Sequence, residues 1–227
     1  AYNNGRNIFN FLQGVAAAPI TQAQKDAAEG FAKTIEALGY YYVIATSDTI
    51  GGITEIRTDP KELAPFVTRD SMYAYISARL EEADADLAAA GATPFPFALT
   101  SGFAGFTTPA TFRQFNRAIA ARVFAYRGSI NQFSVPTGAA CAPTSCYAQA
   151  LTAVGASFIN VTAGTLNAGP FHTYSTSTGD APNNLFFSTT SDIVAHPSIR
   201  TDAPLQPGGA RDLRLLAKVD TATPIKQ

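Results

Sequence analysis

Apolar residues recur at helical spacing through most of the first 155 positions. Ile8, Leu12 and Val15 share one face of a segment running from Asn7 to Ala18, and Pro19 closes it. Thr21-Gln22-Ala23-Gln24 has the form of a capping box, in which a hydroxyl and an amide side chain satisfy each other's backbone N–H groups. Phe31, Ile35, Leu38 and Tyr42 follow at intervals of four, three and four, predicting a buried stripe on a helix that reaches about Ala45. Residues 51–57 contain β-branched side chains without a helical period and predict a short strand or an extended linker. A further helix is expected from about Asp70, with Tyr73, Ile76, Leu80, Ala83 and Leu87 inward and Gly91 as its C-cap. Its other face carries Arg79, Glu81, Glu82, Asp84 and Asp86, which reads as a solvated side and not as a set of catalytic carboxylates.

Thr93 to Thr107 is rich in Pro, Phe and Gly and predicts a loop. Thr108 then caps a helix opened by Pro109, where a missing N–H costs nothing. Phe112, Phe115, Ile119, Val123 and Tyr126 form the expected buried stripe, and Gly128 the expected end. A last helix is read from about Ser145 to Val154. Residues 160–212 are rich in Thr, Ser, Asn, Gly and Pro and show few helical stripes. The expected organisation is therefore a mainly α fold, with a helical scaffold over 1–159 and a long irregular, loop-rich segment of the same domain over 160–227.

Composition narrows the function classes. The 227 residues are 46% hydrophobic and 15% charged, enough apolar material for a core. Sixteen Lys and Arg balance seventeen Asp and Glu, so charge gives no reason to expect nucleic acid as a partner. No apolar run approaches the roughly 20 residues a membrane helix needs. Cys141 and Cys146 are too widely spaced for a Cys-x-x-Cys site. Pro143 between them favours a turn that a disulfide can close; the alternative is two unpaired small apolar side chains. A bridge would point to an oxidising compartment.

The chain also carries a run of family-like segments. Gly39-Tyr40-Tyr41-Tyr42 leads to Gly51-Gly52-Ile53-Thr54-Glu55-Ile56. Thr68-Arg69-Asp70-Ser71 then opens the helix that ends in Asp84-Ala85-Asp86-Leu87, and Phe115 to Gly128 reads FNRAIAARVFAYRG. In this order the segments resemble the SusD/RagB family of surface nutrient-binding lipoproteins. The resemblance implies a tetratricopeptide-like scaffold of helical pairs, although linkers at 47–69 and 91–107 interrupt any 34-residue period. It implies binding of an extracellular nutrient, an oligosaccharide or another, without turnover. It further implies delivery to a SusC-like TonB-dependent transporter, and a lipid anchor on the extracellular face of the outer membrane. Family members are longer, so the chain is expected to be a fragment without the signal and lipidated cysteine.

Chemistry-bearing residues fit that picture. His172 and His196 are the only histidines and lack metal-ligand spacing to each other or to Asp180, Asp192, Asp202 and Asp212. No Gly-x-Ser-x-Gly elbow and no phosphate loop occur, so catalytic residues, metals and cofactors are not expected. Arg200, Arg211 and Arg214 read as surface ion-pairing residues. Sugar recognition needs aromatic faces and planar polar groups. Asn4 and Arg6 in the Tyr2 to Asn10 stretch, together with Phe103 and Tyr174, are the candidate ligand residues; tryptophan, frequent in starch-binding relatives, is absent. The alternative function is a helical-repeat adaptor that binds protein alone.

Overall fold

The structure is a computed structural model that describes residues 2–59, 61–131, 141–160, 168–175 and 196–218. Among these it is mainly helical, with only isolated β-bridges. The helices are α1 (Tyr2–Ala17), α2 (Gln22–Ser47), α3 (Arg69–Ala90), α4 (Pro109–Asn131), α5 (Pro143–Gly155), α6 (Ser198–Thr201) and α7 (Leu213–Lys218). The chain divides into two compact units, Ala1–Thr173 and Tyr174–Gln227. The first extends beyond the scaffold read over 1–159, because the Phe171 amide donates to the Gly102 carbonyl at 2.8 Å.

Local chemistry sets the helix starts. At α2 the Gln24 amide donates to Thr21 Oγ1, and the Thr21 amide donates to Gln24 Oε1 at 3.0 Å, completing the capping box. Thr68 and Thr108 accept from the amides of Ser71 and Thr111 in the same way. Gly91 closes α3 at φ +58°, a left-handed position that favours glycine.

Helices α2 and α3 pack antiparallel. Gly30 faces Ala83 and Leu87, Glu36 meets Tyr75 and Arg79, and Asp48 meets Arg69. Helix α4 runs antiparallel to α3 in turn, with Asp84 on Arg113, Leu80 on Arg117 and Ser77 on Arg127. The core joins Tyr40, Tyr41, Ile44, Met72, Ile76, Leu80, Ile119 and Val123, and α5 adds Ala150 and Ala153. A satellite of aromatic rings gathers Phe31, Phe95, Phe97, Phe103 and Phe112, most in edge-on geometry.

Four details depart from the periodic reading. Helix α1 begins at Tyr2, not Asn7; Gly5 lies inside it because a bare Cα lets the helix sit against the Tyr40 hydroxyl. On α2 the buried apolar positions are Ala27, Ala28, Ala32, Ala37, Tyr40, Tyr41 and Ile44, whereas Tyr42 is exposed. The helix packs against α1, α3 and α4, so small alanines fill its contacts and the large-residue stripe turns partly outward. Tyr126 likewise faces out of α4. Gly128 does not end α4: it is a packing glycine, where a Cβ would come within 2.9 Å of the Tyr147 ring. Residues 51–57 take the second of the two expected forms, an extended linker, in which one antiparallel bridge pairs Gly52 with Val67.

The charged side of α3 is not merely solvated. Asp84 accepts two bonds from Arg113, at 2.7 and 2.9 Å, and stands 3.0 Å from Arg117 Nε. Arg117 is buried, and it also reaches Glu81 Oε1, the Leu80 carbonyl and Asn116 Oδ1. Asn116, wholly buried, donates to Thr34 Oγ1 and the Leu80 carbonyl. This network links α2, α3 and α4 through groups that satisfy one another away from water.

In the second unit, Leu205 and Arg211 form a small antiparallel bridge around a turn in which Gly208 and Gly209 take φ of +98° and +82°. The His196 ring nitrogen Nδ1 accepts from the Ser198 amide and lies 2.9 Å from its hydroxyl.

Candidate functional site

An open groove of about 420 Å³ lies at the C-terminal end of α2. Its lining comes from three places. Tyr2 stands at the start of α1. Tyr42, Val43, Thr46 and Ser47 come from the last turns of α2. Ile50, Gly51 and Phe66 come from the linker before α3. Gly51 and Gly52 form one edge, because no Cβ fits there: at Gly51 it would meet the Val67 carbonyl oxygen and at Gly52 the Met72 sulfur. Gly51 also has φ +76°. The close turn lets Gly52 and Val67 exchange backbone hydrogen bonds, which carries Phe66 to the groove wall.

Large apolar side chains are unusually open here. Tyr42 is 57% exposed, Phe66 66%, Ile50 73% and Leu63, nearby in sequence, 93%. Tyr42, Phe66 and Ile50 thus present an open apolar surface around the groove. Three of the four hydroxyls of the lining, those of Thr46, Ser47 and Tyr2, are engaged internally. Thr46 donates to the carbonyls of Tyr42 and Val43, Ser47 is bonded to those of Val43 and Gly51, and Tyr2 accepts from the Ile53 amide. No charged side chain lines the groove. It offers aromatic and aliphatic faces.

A buried polar layer backs this surface. The Tyr2 ring meets Tyr40 edge-on, and Tyr40 meets Tyr75 at a centroid distance of 5.5 Å. Tyr75 donates to Glu36 Oε1 at 2.8 Å, and Arg79 Nε lies 3.1 Å from Glu36 Oε2. Burial works against the Arg79 charge, but Glu36 and the Tyr75 hydroxyl outweigh it and hold its pKa above the ordinary range. Burial, reinforced by the Glu36 carboxylate, pushes the Tyr75 phenol up to about 12. Tyr73 is also pushed to about 12 by burial, and Tyr40 is raised by burial too. These phenols keep their protons at pH values where the unfolded chain has begun to lose them, near 10. Their stabilising contribution is therefore whole below about pH 10 and is lost as pH rises through about 12. Denaturant midpoints are expected to fall across that window, with Tyr75→Phe flattening the fall. A midpoint independent of pH up to about 12 would show that the phenols are not shielded.

Asn4, Arg6 and Phe103 belong to the first unit, and none of them lines the groove. Asn4 lies beside Gly39, and Arg6 holds the Arg57 carbonyl while covering the Phe9 ring at 5.7 Å. Both are half-buried on α1. Phe103 packs among Phe31, Phe112 and Phe115, so its ring serves the hydrophobic cluster and not an open face. Tyr174 is exposed and belongs to the second unit. Cys141 and Cys146 form a disulfide with Cα atoms 5.6 Å apart. Among the described residues no group of three or more His, Cys, Asp or Glu could hold a metal ion. Asp180 and Asp192 lie outside the described residues. Groove residues Ile50 and Phe66 were missed by periodicity because they sit in a linker. The available signal was compositional: apolar side chains beside glycine and proline, on a stretch with no long helix or strand to bury them.

No protein-family model matches this chain, and no curated protein or solved structure does either. No helix among the described residues is long and apolar enough to cross a membrane.

Proposed function

We propose that this chain is the binding scaffold of a nutrient-uptake protein of the SusD/RagB type. In this reading it holds an extracellular ligand, a glycan in the first instance, without turning it over, and hands it to a SusC-like TonB-dependent transporter at the outer membrane. A lipid anchor outside these residues would keep it at the extracellular face. The observation that carries the reading is the aromatic groove of Tyr2, Tyr42 and Phe66, presented at the end of antiparallel helices. The resemblance of Gly39 to Tyr42, Gly51 to Ile56, Thr68 to Ser71 and Phe115 to Gly128 to that family supplies the transporter, the compartment and the tetratricopeptide-like pairing of helices. Pyranose rings present apolar C–H faces, which stack on exposed aromatic rings such as Tyr42 and Phe66.

The internally bonded hydroxyls favour a second reading. A groove with apolar faces and few unspent donors also suits the side chains of another protein, as in a helical-repeat adaptor. Calorimetric titration with oligosaccharides and with peptides separates the two, with products followed in the same samples. Binding of an oligosaccharide without turnover supports the nutrient reading; binding of peptides alone supports the adaptor; cleavage of the ligand by purified protein overturns both.

A further inference from the structure

Helix α5 is held on α4 by few large side chains: the Tyr147 ring lies on Gly128, and Val154 is partly buried in the core. None of its residues, Pro143 to Gly155, is charged, so it makes no ion pair. Its fully inward positions are the small residues Cys146, Ala150 and Ala153, whose burial stabilises far less than that of a leucine or phenylalanine. Its N-cap, Ala142, has no side chain to bond the first amides. An isolated helix of 13 residues is marginal in water.

One feature compensates at the N-terminal end. The disulfide between Cys141 and Cys146 encloses the N-cap and the first turn of α5. Cys146 is fully buried against the bundle. The Cys141 carbonyl accepts from Asn131 Nδ2 at 2.7 Å, which ties the ring to the last residue of α4. The bridge therefore fixes the first turn of α5, and the Asn131 bond to the Cys141 backbone sets that turn at the end of α4. By contrast, α2, α3 and α4 are joined by the Asn116–Arg117 network and by large apolar side chains far from either cysteine in sequence.

We propose that the Cys141–Cys146 bridge is a redox latch for α5: the disulfide holds the helix on α4, and reduction releases it while α2, α3 and α4 stay folded. Closing the latch is a two-electron oxidation. Two thiols lose two protons and form the S–S bond, while a disulfide oxidant such as oxidised glutathione is reduced to two thiols. Opening is the reverse, driven by a dithiol such as dithiothreitol. The latch is closed in a compartment that sustains disulfides and open in one that does not.

Hydrogen exchange of the purified chain, oxidised and after dithiothreitol, tests this. Amides of Cys146 to Gly155 are expected to exchange about tenfold faster or more once reduced, with α2 to α4 little changed, and oxidised glutathione should restore the slow rates. The double substitution Cys141→Ser with Cys146→Ser should match the reduced protein; if it does not fold, the reversible reduction of the native chain decides alone. Unchanged α5 exchange on reduction would overturn the proposal. So would collapse of α2 to α4 along with α5, since the bridge would then support the whole unit instead of latching one helix.

Discussion

Truncating Leu80 to Ala is expected to lower stability by about 2–5 kcal/mol, through lost transfer free energy and the cavity left behind. Leu80 is wholly buried, in a cluster with Ile44, Ile76, Ile119 and Val123, at a point where α2, α3 and α4 meet. Its carbonyl also accepts from Asn116 and Arg117, so backbone and side chain are held from opposite directions. That fixed backbone limits how far the site can collapse around a smaller residue, which places the cost toward the upper end. The check is urea unfolding followed by circular dichroism: the midpoint should drop while the slope stays constant. A midpoint near that of the native chain would mean the helices do not converge on this residue.

Arg117→Ala should be comparably damaging, about 3–5 kcal/mol, because it removes one partner of a buried charge network. The guanidinium serves Glu81, Asp84, Asn116 and the Leu80 carbonyl together. Its loss leaves Asn116 Oδ1 without its donor in a site closed to water, and Asp84 with Arg113 alone. Arg117→Lys should recover only part of the loss, since an ammonium cannot match the guanidinium's fork. Arg113→Ala gives the contrast: Arg113 is more exposed, so its removal should cost under about 1 kcal/mol. Equal effects at 113 and 117 would show that burial does not set the strength of this network.

How much of this was legible follows from what each residue signals. The stripe Tyr73, Ile76, Leu80, Ala83 and Leu87 was readable because α3 buries a single face made of large apolar side chains. The threonine caps were readable because capping is local and depends on few positions. Tyr42 was misplaced because α2 is contacted by several helices, and its close approaches use alanines that weigh little in a hydrophobic pattern. Gly128 was read as a stop because a helix end and a close contact call for the same residue; only the ring of Tyr147 tells them apart. Asn116 and Arg117 carry no local sign of their burial, since their partners Thr34, Leu80 and Asp84 are distant in sequence. The groove was hidden for a similar reason. Tyr2, Tyr42 and Phe66 come together only after α1 docks on α2 and the Gly52–Val67 bridge folds the linker back. Asn4 and Arg6 lie half-buried on α1, where Arg6 holds the Arg57 carbonyl, and Phe103 joins the aromatic satellite; none of the three lines the groove.

The central claim is that the groove at the end of α2 binds the ligand through exposed aromatic faces. It is tested most directly by calorimetry on Tyr42→Ala, using whichever oligosaccharide or peptide the native chain binds. Tyr42 is exposed and its ring meets that of the buried Tyr41 at one edge, so stability should fall by no more than about 1 kcal/mol. The account predicts that affinity falls about tenfold or more, in line with loss of a stacking ring worth one to a few kcal/mol. An unchanged dissociation constant in a variant that stays folded would contradict it.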